Sequence, residues 1–376
     1  MPPPHGDKLM NRTSPHQENL DEMFSIAIDT DTRNDIENIA DGIFSPLEGF
    51  VCQADFESIV SEGRLSNGLA WTIPIVLDVE NETAIKMKDA GEVLLVNNDE
   101  AFGVISVDDI YRFDKQKVAE KIYQTVDLQH PGVMKTMNMN DVLVGGKIKV
   151  FSRIPFSQSR KLRKTPAETR NEILTRGWKS IVGFQTRNVP HVAHETLQKT
   201  ALSLFDGLFI NPLIGKKKLG DFKDEVILHT YETLLNSYYS RGSAMLVTLH
   251  TEMRYAGPKE AIHHAIMRKN FGCTHLIIGR DHAGVGDYYE PFAAQKIFNE
   301  YPDLEIEPVF FPAFYYCKKC KGYSSAKICP HNSEAREELS GTKMRKLVSS
   351  GTMPADHLMR PEVAKVILSY SEPFVK

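Results

Sequence analysis

Ser180-Ile181-Val182-Gly183-Phe184-Gln185-Thr186-Arg187-Asn188-Val189-Pro190-His191-Val192-Ala193-His194 is the stretch on which the reading of this chain turns. Residues 180–184 form a short apolar run, suited to a buried strand. Pro190 sits at a helix start, where its missing N–H costs nothing, and helical spacing follows over 192–205. The same rhythm then repeats. Short apolar runs recur at 207–211, 244–249, 274–278 and 305–311, and helical spacing occupies 222–240, 258–271 and 288–300 between them. Strand and helix alternating with crossovers of this length predict a parallel sheet in a doubly wound α/β domain.

Upstream the pattern differs. Arg160-Lys-Leu-Arg-Lys-Thr-Pro166 is basic and reads as a linker into a helix capped near Thr165, with Pro166 at its first position. From Ile43 to about Ile154, β-rich runs at 71–77, 92–96, 101–107 and 147–151 are broken by turn residues. Residues 97–99 and Gly145-Gly146 suit hairpin turns. This predicts a mostly β domain, a small barrel with a helix or two. Residues 1 to about 20 are polar and, on composition, suggest a disordered tail. Downstream come a cysteine-rich loop at 313–331, a helical segment from Glu334 to about Ser349 and another near Pro361. The expected division is 1–160, 165–312 and 313–376.

Composition limits the choices. The 376 residues allow two or three domains with a sizeable core. A net charge of -4 gives no global pull toward nucleic acid or anionic membranes. No run has the length of a transmembrane helix, and the amino terminus lacks the apolar stretch of a signal peptide. Five cysteines, three of them within thirteen residues, argue for a reducing compartment and a metal rather than a disulfide framework. The expectation is a cytoplasmic protein.

Three segments carry chemistry. In the first, His191 and His194 share one face of a helical first turn, beside Gln185, Arg187 and Asn188. A bare histidine pair at this spacing is more often structural; its neighbours raise the odds. The second is Gly279-Arg280-Asp281-His282-Ala283-Gly284-Val285-Gly286 after an apolar run. Its glycines permit close approach of backbone N–H groups to a ligand. Read plainly, it is a surface turn in which Arg280 and Asp281 pair. The third is Met253-Arg254-Tyr255-Ala256-Gly257-Pro258-Lys259-Glu260, where Arg254 either contacts a phosphate or pairs with Glu260. Loops at the carboxyl ends of strands in one sheet face a common crevice. Arg, His and freed backbone N–H groups make that crevice an anion site.

Cys317-x2-Cys320-x8-Cys329-x-His331 offers three thiolates and an imidazole, a set that suits closed, structural tetrahedral zinc. The Cys-x-His half is tight, which leaves His331 as the weakest ligand, and a reduced metal-free loop is the alternative. Cys52 and Cys273 read as lone buried thiols.

Together these segments resemble the sulfate adenylyltransferase (ATP sulfurylase) family, in its prokaryotic, monofunctional form. The resemblance rests on Gln185-Thr186-Arg187-Asn188 leading to His191-x-x-His194 and on Gly279-Arg280-Asp281-His282-Ala283-Gly284. It extends to 254–260, to Phe44-Ser-Pro-Leu-Glu-Gly-Phe50, to Ser340-Gly341-Thr342-x-x-Arg345 and to Arg360-Pro361-Glu362-Val363. Pro4-His5-Gly6 with Leu9 and Arg12 is similar to the family's opening, which counts against a disordered tail. Val189 between Asn188 and Pro190 matches the prokaryotic form, and no kinase-type phosphate loop follows.

The resemblance implies a PUA-like barrel, a Rossmann-like nucleotidyltransferase domain and a zinc-containing helical segment. It implies that ATP and sulfate give adenosine 5′-phosphosulfate and pyrophosphate by in-line attack of sulfate on the α-phosphorus. Thr186, Arg187, Asn188, His191 and His194 would be catalytic. Gln185, Arg187 and the Ala283 backbone would hold sulfate. Gln185, Asn188, His191, His194, Gly279, Arg280, Asp281 and His282 would hold ATP, with Phe311 near the adenine. Mg2+ would arrive with ATP, and the chain would be a homodimer. The alternatives are another His-x-x-His adenylyltransferase acting on a nucleotide or coenzyme precursor, and a binding protein with degenerate chemistry.

Overall fold

The computed structural model describes residues 1–14, 20–153, 158–337, 345 and 347–376. Its centre is a parallel sheet in the order Leu249–His250, Gly207–Ile214, Ile181–Thr186, His275–Ile278, Glu307–Phe310, with Ala244–Leu246 also paired to Gly207–Ile214. The chain enters at Ile181–Thr186, steps outward to Leu249–His250, then crosses back to the other flank. The strand order therefore reverses between Ile181–Thr186 and His275–Ile278. That reversal is where doubly wound sheets open a crevice at their carboxyl ends.

The helices expected from spacing form at Val192–Leu202, Asp224–Tyr238 and Pro258–Phe271. The expected 288–300 helix shrinks to Ala293–Lys296 and the 3-10 turn Ile297–Glu300. Pro291 disfavours helical backbone at the residue before it. Tyr288 and Tyr289 instead reach across to Asp127 and to the Tyr123 and Tyr255 carbonyls.

Helix Pro166–Thr175 starts as predicted, with a reciprocal capping box between Thr165 and Glu168. The basic segment before it is not a free linker. Arg160 and Arg163, 9% and 8% exposed, pair with fully buried Glu37, and Arg163 also holds Asp41 at 2.8 Å. Removing one partner would strand a buried charge, so this network rivets the amino-terminal part to the central one.

The amino-terminal sheet runs Ser25–Ala27, Glu92–Asn97, Glu100–Arg112, Val142–Val150, Gly49–Phe50, with Leu77–Val79 also on Val142–Val150. All pairings but the first are antiparallel. The 97–99 hairpin is present, with Asn98 and Asp99 at φ 50° and 61°, as a type I′ turn requires. Two expectations fail here. The 71–77 strand survives only from Leu77, because Pro74 offers no ladder donor and the Trp71 Nε1–H turns back to the Ile73 carbonyl. Gly145-Gly146 is not a turn but the middle of Val142–Val150. A Cβ at Gly146 would stand 2.0 Å from the Ser106 carbonyl oxygen, beside a bulge in the facing strand.

Residues 1–14 are packed, not a loose tail. His5 is 1% exposed; its N–H donates to Asn270 Oδ1 at 2.8 Å and its Nε2 lies 2.6 Å from the Ala70 carbonyl oxygen. Residues 15–19 lie outside the described residues. At the other end, the helix expected from Glu334 to about Ser349 is not helical at its start, where a 3-10 turn Ser333–Ala335 and the strand Arg336–Glu337 form, but Arg345 and residues 347–349 are helical, and the residues between lie outside the described ones. That strand completes a small antiparallel sheet with Phe314–Cys317 and Gly322–Ser325. Residues 340–342 of the Ser-Gly-Thr motif lie outside the described residues; Arg345 pairs with Asp221 at 3.0 Å. Helix Pro361–Ser369 packs on Asp224–Tyr238, and Leu358, Met359, Val363 and Ile367 join the core beneath the central sheet. Cys273 is buried, whereas Cys52 is half-exposed.

Candidate active site

Parallel pairing of His275–Ile278 with Ile181–Thr186 brings two of the singled-out segments side by side at the strand-order reversal. Gln185 and Thr186 end the first strand. Thr186 Oγ1 accepts from the Asn188 N–H at 3.3 Å and closes a tight turn. Gln185 Oε1 is buried with no hydrogen-bond partner, and its Nε2 lies 4.0 Å from Met253 Sδ. Arg187 Nη1 donates to the Tyr255 hydroxyl at 2.8 Å. Its other guanidinium donors have no carboxylate partner among the described residues.

His191 is the N-cap of helix Val192–Leu202, and Pro190 stands one residue before that cap. His191 Nδ1 accepts from the His194 N–H at 3.3 Å, and the rings stack with centroids 3.7 Å apart and planes 14° from parallel. The first turn is more committed than its sequence suggests. The Val192 N–H donates to the Leu358 carbonyl at 3.1 Å, so of the first three N–H groups only that of Ala193 is left for a ligand. The imidazoles, rather than the backbone, must do most of any anion binding here. His194 Nδ1 is buried with no partner. Burial lowers the His194 pKa to about 4, and burial with the His194 neighbour holds His191 well below the usual imidazole range. Both rings are neutral at pH 7.

The second segment is a strained loop. Asp281 and Ala283 both adopt left-handed backbone, at φ 55° and 57°. Such residues cost on the order of 1 kcal/mol each and need outside support. The Asp281 N–H donates to the Pro291 carbonyl at 2.8 Å, and the Gly257 N–H donates to the Ala283 carbonyl at 3.1 Å. His282 Nε2 meets His264 Nδ1 at 3.1 Å, and His264 Nε2 faces Glu260 Oε1 at 3.4 Å. A Cβ on Gly279 would meet nothing within 4 Å, so that backbone faces open space. The plain reading of this loop is also realised, because Arg280 Nε and Asp281 Oδ2 pair at 3.1 Å on the surface.

In the third segment Arg254 takes neither role expected of it. Its guanidinium is bound to Asp35 of the amino-terminal sheet domain at 2.6 Å, while Glu260 accepts the Arg254 and Ala256 N–H groups.

Sequence reasoning missed Tyr255, His264 and the Lys216–Lys218 run. The lysines follow strand Gly207–Ile214, so their place on the same sheet edge was readable. Tyr255 lies in the third segment, but its contact with Arg187 was not readable, because it depends on a left-handed backbone, φ 60°, in a non-glycine residue. A cleft of 540 Å³ opens beside Lys216, Lys218, Met253 and Tyr255. Another of 570 Å³ lies at the edge of the amino-terminal sheet and contains none of the singled-out residues.

Cys317, Cys320, Cys329 and His331 converge, with one ligand atom from each lying within 4.8 Å of all the others. Cys320 and Cys329 Sγ are 3.8 Å apart, and His331 Nδ1 lies 3.4, 3.3 and 3.6 Å from the three sulfurs. Tetrahedral zinc at its usual bond lengths needs ligand atoms about 3.5–3.8 Å apart. The four residues fit such an ion, and His331 sits as well as the cysteines.

Comparison with known proteins agrees across the whole chain. A family model described as ATP-sulfurylase matches residues 160–370, and one described as a PUA-like domain matches residues 2–153. The sulfate adenylyltransferase of Cenarchaeum symbiosum is 51% identical over 99% of this chain and 98% of its own. That of Thermococcus onnurineus is 48% identical over 99% of each. A solved structure described as a hexameric APS kinase from Thiobacillus denitrificans superposes with a TM-score of 0.77 at 19% identity, covering 99% of this chain and 69% of that one, a likeness of fold.

Proposed function

The chain belongs to the ATP-sulfurylase family, and from that premise we propose how its residues perform the family's reaction. It is a sulfate adenylyltransferase: ATP and sulfate give adenosine 5′-phosphosulfate and pyrophosphate. A sulfate oxygen attacks the α-phosphorus in line, and the bond to the bridging oxygen of pyrophosphate breaks. Both reactants are anions and sulfate is a weak nucleophile, so catalysis is positioning plus stabilisation of the leaving charge. The observation that carries this reading is the adjacency of the two loops at the strand-order reversal.

Gln185, Arg187 and the Ala283 backbone N–H hold sulfate. Thr186 and Asn188 fix the turn that aims Arg187, and Asn188 also contacts ATP. His191 and His194 grip the β- and γ-phosphates. Gly279, Arg280, Asp281 and His282 hold the nucleotide, for which Arg280 must leave Asp281. Mg2+ arrives with ATP. Cys317, Cys320, Cys329 and His331 would hold a structural zinc, the four-ligand set of a closed site. The division at 1–160, 165–312 and 313–376, a homodimeric assembly and a cytoplasmic location complete the proposal. One sheet within each part supports the division. Among the described residues no helix is long and apolar enough to cross a membrane.

Pyrophosphate release from Mg-ATP, with and without sulfate, tests this. Release is expected to depend on sulfate, and release indifferent to it would overturn the assignment.

The histidine pair predicts a proton linkage. A bound polyphosphate favours imidazolium, raising the pair above its free-state values, about 4 for His194. Binding then takes up protons, and pyrophosphate affinity tightens as pH falls from the bound-state pKa toward 4. Calorimetry in buffers of different ionisation enthalpy should register proton uptake that His194→Gln reduces. Proton release on binding would contradict the role.

A further inference from the structure

We propose that Lys218 is a second anion-binding cation of the sulfate site, coupled to Arg187 through the ring of Tyr255. The inference rests on the assignment of Arg187 to sulfate.

Tyr255 is 8% exposed and fixed from several directions. Its backbone is left-handed, and its carbonyl accepts from the Tyr289 hydroxyl at 2.9 Å and lies 3.1 Å from His130 Nε2. The ring therefore stands where the rest of the fold puts it. Two cations converge on it. The Arg187 guanidinium carbon is 5.2 Å from the ring centroid, with Nη1 on the hydroxyl, and Lys218 Nζ is 4.2 Å from the same centroid. The charges are separated by no more than the sum of those two distances, close to the physiological screening length.

Neither cation has a carboxylate partner among the described residues. Their neighbours do: Lys217 holds Asp224 at 2.9 Å, Arg254 holds Asp35, and Lys135 holds Glu252. The other carboxylates of the cleft pair with neither cation among the described residues. Asp29 accepts the Thr32 N–H, and Asp31 is shifted toward its neutral form by burial and by Glu252. Two like charges held against one ring, neither with a carboxylate partner among the described residues, define a place for an anion.

Chain order explains the meeting. Strand Gly207–Ile214 lies beside Ile181–Thr186, with Asn211 opposite Gln185 and Pro212 opposite Thr186. The segment that carries Lys218 thus leaves the sheet next to the segment that carries Arg187. Sulfate, a compact dianion, would take the arginine fork on one side and the lysine point charge on another.

Lys218 is exposed, so Lys218→Met should fold. In the full-length enzyme its sulfate KM is expected to rise about tenfold, a typical loss for one charged contact, with the ATP KM unchanged. Lys218→Arg should recover most of the loss. Tyr255→Phe keeps the ring and deletes the hydroxyl; it should raise the sulfate KM, and combined with Lys218→Met it should cost less than the two effects multiplied. A rise in ATP KM instead would assign Lys218 to the phosphates and overturn the proposal, as would an unchanged sulfate KM. Arg187→Lys measured alongside separates the failures. If it impairs sulfate use while Lys218→Met does not, only this inference falls. If neither does, the sulfate site itself is misplaced.

Discussion

Arg187→Lys is expected to lower kcat/KM for sulfate by about 10²- to 10³-fold, the usual cost of removing one preorganised donor from a developing-charge site, while the fold stays intact. The guanidinium does two things at once. One N–H holds the Tyr255 hydroxyl at 2.8 Å, and the rest of the fork is free to meet a tetrahedral dianion. An ammonium is a single point that can occupy the tyrosine or the anion but cannot bridge them with fixed geometry. The structural loss is small. Arg187 makes no ion pair among the described residues, so the folded state forfeits about one hydrogen bond, roughly 1 kcal/mol. For a chain of this size that shifts the thermal midpoint by only a few degrees. Steady-state kinetics and a melting curve on the same preparation check both halves. Near-wild-type turnover would remove Arg187 from the sulfate site, and a large fall in the midpoint would make it a structural residue.

What could be read in advance, and what could not, divides along physical lines. Helix and strand positions in the central domain follow from short apolar runs and 3.6-residue spacing, and Thr165-Pro166 marked its helix start, where the structure adds the reciprocal bond to Glu168. Such signals are local. Pro74 and Pro291 account locally for two failures; the others needed distant partners. Gly145-Gly146 looks like a turn until Ser106 presses against it. Arg160 and Arg163 look like a linker until Glu37 and Asp41 are buried beneath them. Arg254 looked suited to a phosphate or to Glu260, but its guanidinium pairs with Asp35, far away in the chain. The site divides likewise. Residues of the two motifs were legible because strand ends in one sheet must share a rim. The place of Lys218 on that rim was legible too, but its contact with the Tyr255 ring and the His264 support of His282 were not, because each depends on loop conformations that spacing does not encode.

Loss of the proposed zinc should reach helix Val192–Leu202, whose first turn carries the histidine pair, and Cys320→Ser is the variant that tests it. Among the described residues, the small sheet of Phe314–Cys317, Gly322–Ser325 and Arg336–Glu337 has a buried core of only Tyr315, Cys317, Cys329 and Ala335. Two of those four belong to the proposed ligand set. So small a core cannot hold itself, and bound zinc contributes on the order of 10 kcal/mol to comparable sites. From that sheet a continuous set of contacts runs to the histidine pair. Strand Phe314–Cys317 packs against helix Val192–Leu202, and the Tyr323 hydroxyl donates to the His357 carbonyl at 2.7 Å. One residue on, the Leu358 carbonyl caps the Val192 N–H, and Arg360 grips buried Glu195 with two bonds of 2.7 and 2.9 Å. The wild-type chain should hold about one zinc per chain, the stoichiometry of a four-ligand structural site, and Cys320→Ser should lose it. Hydrogen exchange should then quicken across 313–337 and in the first turn of Val192–Leu202, while the strands at 181–186 and 207–214 keep their protection. Turnover should fall about tenfold or more, because misplacing a reacting group by an ångström costs on that scale or above. If Cys320→Ser loses its zinc yet keeps both its turnover and the protection of residues 192–195, the helix is held by the core at Leu358 and Met359 alone, and the metal serves only its own loop.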